Sequence, residues 1–360
     1  MIYLHVPFCR SFCIYCDFYS EICPRGQVSD VILWKSEVLD EIRLRSDAIA
    51  RSRATGPDTL YIGGGTPSVV PSEILREIVE SLGPADYREF TVEVNPDDVT
   101  PELSRALKSM GVNRVSMGVQ SFNDDTLRWM NRRHSAQQAR EAVQMLRDAG
   151  VTNISIDLIF GIAGMSDQEW ETTVAEAMKL RPEHISCYAL SIEEGSALAW
   201  MVEDGRYTPA SDEDCRRQYD MLCGILAREG YHHYEISNFA LPGFEAVHNS
   251  AYWDGSTYVG IGPGAHSYDS GAKTRSWNSQ STPWTSEQEH LSEEDLRMEK
   301  LMLGLRTSRG LAMEELQDLA DPSALKSFIS SGAIISTPEG RMRIAEEFFF
   351  VSDDIISEII

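Results

Sequence analysis

Short apolar or β-branched runs recur along the first half of the chain. They are "MIYLHV" (1–6), "TLYIGG" (59–64), "FTVEVN" (90–95), "RVSMGV" (114–119), "ISIDLIF" (154–160) and "HISCYAL" (184–190). Between them lie stretches with apolar residues at helical spacing, such as "SEILREIVESL" (72–82) and "AQQAREAVQMLRDAG" (136–150), the latter closing on Gly150 as a helix stop. Strands that alternate with helices predict an α/β fold with a parallel sheet, because each crossover returns over one face. Six such units before residue 195 predict a partial (β/α)6 barrel of the TIM-like kind over residues 1–200.

Residues 201–285 are rich in Gly, Tyr and Trp, with weak periodicity, and read as an extension packed on the barrel mouth. From about 286 the pattern changes again. "SEEDLRMEKLMLGLRTSRGL" has an amphipathic helical pattern opened by Ser292 and Asp295 as a capping box. Two shorter helical patterns and a strand pair around "STPEGRMRI" follow, so residues 286–360 are expected to form a small winged-helix-like α+β domain.

In a barrel of this kind the C-terminal strand ends form the active face. The polar residues that break the apolar runs fall there: "GGGTPS" after the second run, Glu93 and Asn95 on the third, Gln120 after the fourth and Asp157 on the fifth. A single carboxylate inside a strand is ordinarily a satisfied core group. Glu93 and Asp157, in equivalent places on separate strands, point to a shared site.

The net charge of −24 argues against a nucleic-acid backbone or an anionic membrane as the main partner. No run of 18 apolar residues, no secretory leader and no C-terminal anchor is evident, which places the protein in the cytoplasm, with membrane contact only through a partner. Seven cysteines are unevenly spread, and four of them (Cys23, Cys187, Cys215, Cys223) are scattered as buried or inert thiols would be.

The other three, Cys9, Cys13 and Cys16, crowd into "CRSFCIYC". Structural zinc takes four ligands, usually as paired CxxC units, and only His5 offers itself as a fourth. A thioredoxin-type centre would use Cys13 and Cys16 and leave Cys9 over. Three soft thiolates on one loop suit a [4Fe–4S] cluster with one iron left open for an exogenous ligand.

The CxxxCxxC spacing after a first strand, with Tyr15 just before the third cysteine, resembles the radical S-adenosylmethionine (SAM) enzymes, in which the open iron binds the methionine moiety of SAM. "GGGTPS" matches that superfamily's glycine motif, where Gly63, Gly64 and Gly65 let the backbone come close to the ligand. "YLHVPFC", "GVQSFNDDTLRWMNRRH", "SIDLIFGIAG" and "SCYALSIEEGS" are similar to the branch that contains oxygen-independent coproporphyrinogen III dehydrogenase. Position by position, the resemblance implies SAM contacts at Tyr3, Gly64, Gly65, Thr66, Glu93, Gln120, Arg132, Asp157 and Ala189, with Tyr15 beside the cluster.

Within that branch the dehydrogenase carries a further cysteine two places beyond the third, where this chain has Phe18 in "CIYCDFYS". Asp–Phe there resembles instead the haem chaperones of the HemW type. So does "HNxxYW", found at His248, Asn249, Tyr252 and Trp253. The resemblance implies binding of haem or a porphyrin by these residues and delivery to haem-accepting respiratory proteins. Cys187, His232, His233 and His266 compete with His248 as the iron ligand. The [4Fe–4S] cluster and SAM would support delivery or formation of a homodimer. The alternatives are decarboxylation of coproporphyrinogen or another radical SAM reaction; no catalytic residue is singled out.

Overall fold

The computed structural model describes residues 1–23, 29–281 and 283–360. Six parallel strands form the centre: β1 (Ile2–Val6), β2 (Thr59–Gly64), β3 (Glu89–Val94), β4 (Arg114–Gln120), β5 (Ile154–Phe160) and β6 (His184–Ala189). They lie side by side in chain order, each joined to the next by a helical crossover. The register is continuous, with Ile2 opposite Leu60 and Val6 opposite Gly64. β2 and β5 coincide with the apolar runs above, β1, β4 and β6 differ from theirs by a residue at one end, and β3 is shifted by one residue towards the N-terminus. Helix 136–148 stops where Gly150 takes a φ of +86°.

The strands alternate. Leu4, Ile62, Val92, Val115 and Ile156 belong to the apolar core shared with the surrounding helices. Tyr3, Tyr61, Glu93, Ser116 and Asp157, one residue out of step with that series, occupy the other face. Parallel strands covered by helices usually read as continuous apolar runs. Here the inner face is polar, as suits a barrel that holds a ligand rather than a packed core.

Part of residues 201–285 reaches the mouth, where Ala163 N, just beyond β5, donates to the Tyr207 hydroxyl at 2.9 Å, but most of the segment builds elsewhere. The 17-residue helix Asp212–Arg228 packs on the outer helical layer and was masked in sequence by its many charged residues. β7 (His232–Glu235) and β8 (Asn238–Ala240) then extend the sheet beyond β6 in antiparallel fashion, while β9 (Val259–Ile261) pairs in parallel with β1. The sheet order is β9-β1-β2-β3-β4-β5-β6-β8-β7, an open array with β9 and β7 at its two edges. β10 (His266–Asp269), β11 (Thr274–Asn278) and β12 (Ser286–His290) form a separate antiparallel sheet.

The C-terminal unit follows. Ser292 and Asp295 form the expected capping box, with Asp295 Oδ2 accepting from Ser292 N at 2.9 Å. The helix ends at Leu305, short of the apolar pattern, because residues 306–310 turn to meet the barrel edge: Ser308 N donates to the Tyr234 carbonyl at 2.9 Å. β13 (Leu311–Ala312) follows this helix, and two further helices lead to β14 (Ile334–Ser336) and β15 (Arg341–Ile344), with β15 paired between the other two strands. A strand thus stands between the first two helices, and a last helix, Ser352–Ile359, follows the hairpin, both outside the expected helix–helix–helix–hairpin order. Among the described residues no helix is long and apolar enough to cross a membrane.

Candidate functional site

β1 delivers the cysteine loop to the barrel mouth. Cys9, Cys13 and Cys16 are half-buried there. Cys9 Sγ lies 3.3 Å from Thr66 Oγ1, and Arg132 Nη1 donates to Cys13 Sγ at 3.3 Å. Three hydrogen bonds to its backbone hold the loop in shape: Ile14 N donates to the Met130 carbonyl, the Asn131 side-chain Nδ2 to the Phe12 carbonyl, and Leu198 N to the Ile14 carbonyl. Arg10, inside the loop, pairs with Asp98 at 2.8 Å, and Asp98 also takes Arg133 at 3.3 Å.

Burial pushes the Cys9 thiol up and the Cys16 thiol up to about 11. Buried thiols of this kind ionise when a metal supplies the compensating charge. Among the described residues no three His, Cys, Asp or Glu side chains converge as they would on one ion. An iron–sulfur cluster spreads its thiolates over several metal atoms, and three cysteines on one loop fit that larger group. His5 does not complete a zinc set: its Nδ1 lies 3.1 Å from the Tyr3 hydroxyl and its Nε2 2.9 Å from the Tyr19 carbonyl.

The glycine motif brings the exits of β1 and β2 together. Gly64 has a φ of +107°, and a Cβ there would stand 2.5 Å from the His5 ring. A Cβ on Gly65 would stand 2.8 Å from the Phe8 carbonyl oxygen. Only glycine allows this approach, which carries buried Thr66 to Cys9.

Around the mouth the remaining candidates form one ring. Tyr61 donates to Glu93 Oε1 at 2.7 Å and Gly64 N to Oε2 at 3.2 Å. Ser116 Oγ donates to Asp157 at 3.2 Å. Burial outweighs these bonds and pushes Glu93 up to about 7 and Asp157 up to about 6. Arg132 Nη2 donates to Asn95 Oδ1 at 2.8 Å and to the Gly118 carbonyl. Burial works against the Arg132 charge, and neighbouring Tyr15 and Cys13 more than offset it. Its buried Nε has no protein partner, which leaves a donor for an anionic group. Gln120, with a φ of +68°, stands at a bulge in β4, and exposed Ala189 ends β6. Tyr3 lies on β1 two residues before His5, and Tyr15 packs against Met130, Ile159 and Ile162. Carboxylates, a guanidinium and hydroxyls in one ring suit a ligand that carries an ammonium, a carboxylate and sugar hydroxyls.

The "HNxxYW" block lies at the other end of the strands. Its helix, Val247–Trp253, begins at Glu89 on β3, whose carboxylate accepts from Val247 N at 2.7 Å and His248 N at 3.2 Å. His248 is 1% exposed. Its Nδ1 lies 2.8 Å from Thr59 Oγ1 and its Nε2 2.9 Å from the Tyr252 hydroxyl, and burial holds the imidazole down at about 3. Both ring nitrogens are thus engaged inside the protein, and a role for His248 as direct iron ligand does not follow from this arrangement. Half-buried Asn249 shares a helix face with Trp253.

Tyr252 and Trp253 line a cavity of about 940 Å³ beside the open edge of the sheet. Its other walls are Tyr234 and Glu235 of β7, Tyr258, Tyr268 and Arg275 from around the small sheet, and Lys300, Arg309 and Arg341 of the C-terminal unit. Cys187, His232, His233 and His266 do not line it.

Several contributors escaped sequence reasoning. Tyr61 and Arg114, whose buried charge works against the upward shifts of Glu93 and Asp157, look like ordinary strand residues. Gly118 left a signal, a glycine inside a strand; a Cβ there would stand 2.9 Å from Gln120 Nε2 and 3.2 Å from Arg132 Nη2. Glu235 and the C-terminal wall of the cavity left none.

The Radical SAM superfamily matches residues 3–177. The haem chaperone HemW of Lactococcus lactis is 35% identical over 327 residues, 88% of this chain and 84% of that protein. The haem chaperone HemW of Bacillus subtilis is 32% identical over 354 residues, 92% of each. The mitochondrial radical S-adenosyl methionine domain-containing protein 1 of Danio rerio is 32% identical, over 94% of this chain and 80% of that protein. Among solved structures, the coproporphyrinogen III oxidase HemN of Escherichia coli superposes with a TM-score of 0.80 at 19% identity, covering 99% of this chain and 88% of that one. That likeness concerns the fold.

Proposed function

We propose that this chain, which belongs to the radical SAM superfamily and within it to the HemW group, binds haem and hands it to haem-requiring respiratory proteins. The observation that carries the reading is the position of the "HNxxYW" helix, whose Tyr252 and Trp253 form a wall of the 940 Å³ cavity. The volume suits a drug-sized or larger ligand. The walls combine aromatic side chains with Arg275, Lys300, Arg309 and Arg341, which suit a flat apolar macrocycle whose carboxylate arms would compete with Glu299 and Glu315 for the first two cations.

Cys9, Cys13 and Cys16 would hold a [4Fe–4S] cluster, and Gly64, Gly65, Thr66, Glu93, Gln120, Arg132, Asp157 and Ala189 would surround SAM. When bound, that pair supplies a one-electron reductant and a cleavable sulfonium. Tyr3 and Tyr15 would shape the site from below and beside it. Phe18, 67% exposed where the dehydrogenase branch has a cysteine, offers neither a ligand nor a proton, which favours a carrier over a porphyrinogen enzyme.

Anaerobic reconstitution followed by parallel haem titration and porphyrinogen turnover tests the proposal. Saturable haem uptake without protoporphyrinogen formation is expected. Turnover of coproporphyrinogen by the reduced, cluster-loaded protein would instead establish the dehydrogenase. Cleavage of SAM with no haem uptake would point to a different radical reaction.

A further inference from the structure

The cavity walls contain no His, Cys or Met among the described residues. Apart from Lys300, whose ammonium is paired with Glu315, every group there able to coordinate iron is an oxygen: the phenols Tyr234, Tyr252, Tyr258 and Tyr268, and carboxylates such as Glu235. Most of the carboxylates are committed elsewhere, Glu299 to Arg275 at 2.6 Å and Glu315 to Lys300 at 2.6 Å. Among the phenols, Tyr234 and Tyr252 each end a chain of hydroxyl, imidazole and phenol. Ser155 Oγ lies 2.7 Å from His184 Nδ1, whose Nε2 lies 2.7 Å from the Tyr234 hydroxyl. Thr59, His248 and Tyr252 repeat the arrangement at 2.8 and 2.9 Å. Tyr234 is the more deeply buried of the two, also accepting from Ala246 N at 3.3 Å, whereas half-buried Tyr252 stands beside Trp253 on the wall.

Resting on the haem-carrier reading above, we infer that haem is held in this cavity by its ferric iron through the phenol oxygen of Tyr252, with His248 as the positioning residue behind it. On binding, an Fe–O bond forms as the phenol O–H breaks. The proton leaves to solvent and the iron stays ferric. The His248 tautomer that carries its proton on Nε2 then donates to the phenolate oxygen, with Thr59 donating to Nδ1. Phenolate is an established haem ligand, and a recipient that presents a neutral imidazole offers the nitrogen donor that haem commonly takes, so an oxygen-held cargo is suited to transfer.

Ferric haem titrated into the full chain, read by electron paramagnetic resonance and resonance Raman spectroscopy, tests this. The expected wild-type spectrum is high-spin ferric with phenolate vibrations. Tyr252→Phe is expected to lose those vibrations and to bind haem at least about tenfold more weakly, while Tyr234→Phe keeps both. His248→Ala is expected to keep the phenolate vibrations but shift them. A wild-type spectrum with nitrogen or thiolate ligation overturns the assignment while leaving the carrier reading intact, and it does so whether or not any variant folds. Phenolate vibrations unchanged in Tyr252→Phe overturn it as well. No haem uptake by the wild type overturns both.

Discussion

Gly64 and Gly65 show how little room the mouth of the barrel leaves. A methyl group at either would meet the His5 ring or the Phe8 carbonyl, and Gly64 also has a backbone conformation that costs other residues about 1–3 kcal/mol. Gly64→Ala is therefore expected to lower the urea unfolding midpoint and the iron bound after reconstitution together. Glu235 is a residue of another kind. It is 2% exposed, its Oε1 has no protein partner, and burial pushes its carboxyl from 4.5 up to about 7. A folded-state value raised in this way means that the native state holds the proton while the unfolded chain releases it. Stability is then full below about pH 4.5 and is lost as pH rises towards 7, with a slope of at most about 1.4 kcal/mol per pH unit. Glu235→Gln is expected to remove that slope, raising stability more at pH 8 than at pH 5, as denaturant melts at the two pH values would show.

At the scale of elements, the cysteine loop is held by segments distant in the chain. Asp98, after β3, joins Arg10 in the loop to Arg133 after β4, and its side chain is 1% exposed. Both arginines still reach solvent, so Asp98→Ala is expected to cost less than the about 3–5 kcal/mol of breaking a fully buried pair. Its larger effect falls on the loop: iron incorporation drops although all three cysteines remain, which iron and sulfide analysis would record. The central strands were legible because a buried strand must carry apolar residues at every second position. The helix Asp212–Arg228 was not, since only a narrow stripe is buried, and one of its four residues (Gln218, Tyr219, Leu222 and Leu226) is polar. The helix opened by Ser292 stops at Leu305 rather than following its pattern to Leu311, because Gly310, with a φ of +67°, turns the chain towards the barrel edge.

In the molecule as a whole, the two ends of the barrel carry different chemistry. The cysteine and glycine motifs gather at the C-terminal strand ends, and the "HNxxYW" helix closes the opposite end against Thr59 and Glu89. The cavity exists only because the C-terminal unit is docked beside the open edge of the sheet. Gly310 lies on its wall, and a Cβ there would stand 2.2 Å from the Met342 carbonyl oxygen. Gly310→Val is thus expected to displace residues 306–310 and weaken haem binding, while iron loading and SAM binding at the mouth stay as in the wild type. Parallel haem and SAM titrations would separate the two effects. The cysteine spacing, the glycine triplet and the strand pattern could be read from the chain alone, since each is a short-range arrangement whose chemistry depends on neighbours a few residues away. His248 could not. Whether an imidazole meets iron or a hydroxyl depends on which distant segments pack around it, and here Thr59 and Tyr252 take both nitrogens. The cavity was invisible for the same reason: its walls come from residues as far apart as Tyr234 and Arg341, which only tertiary packing brings face to face.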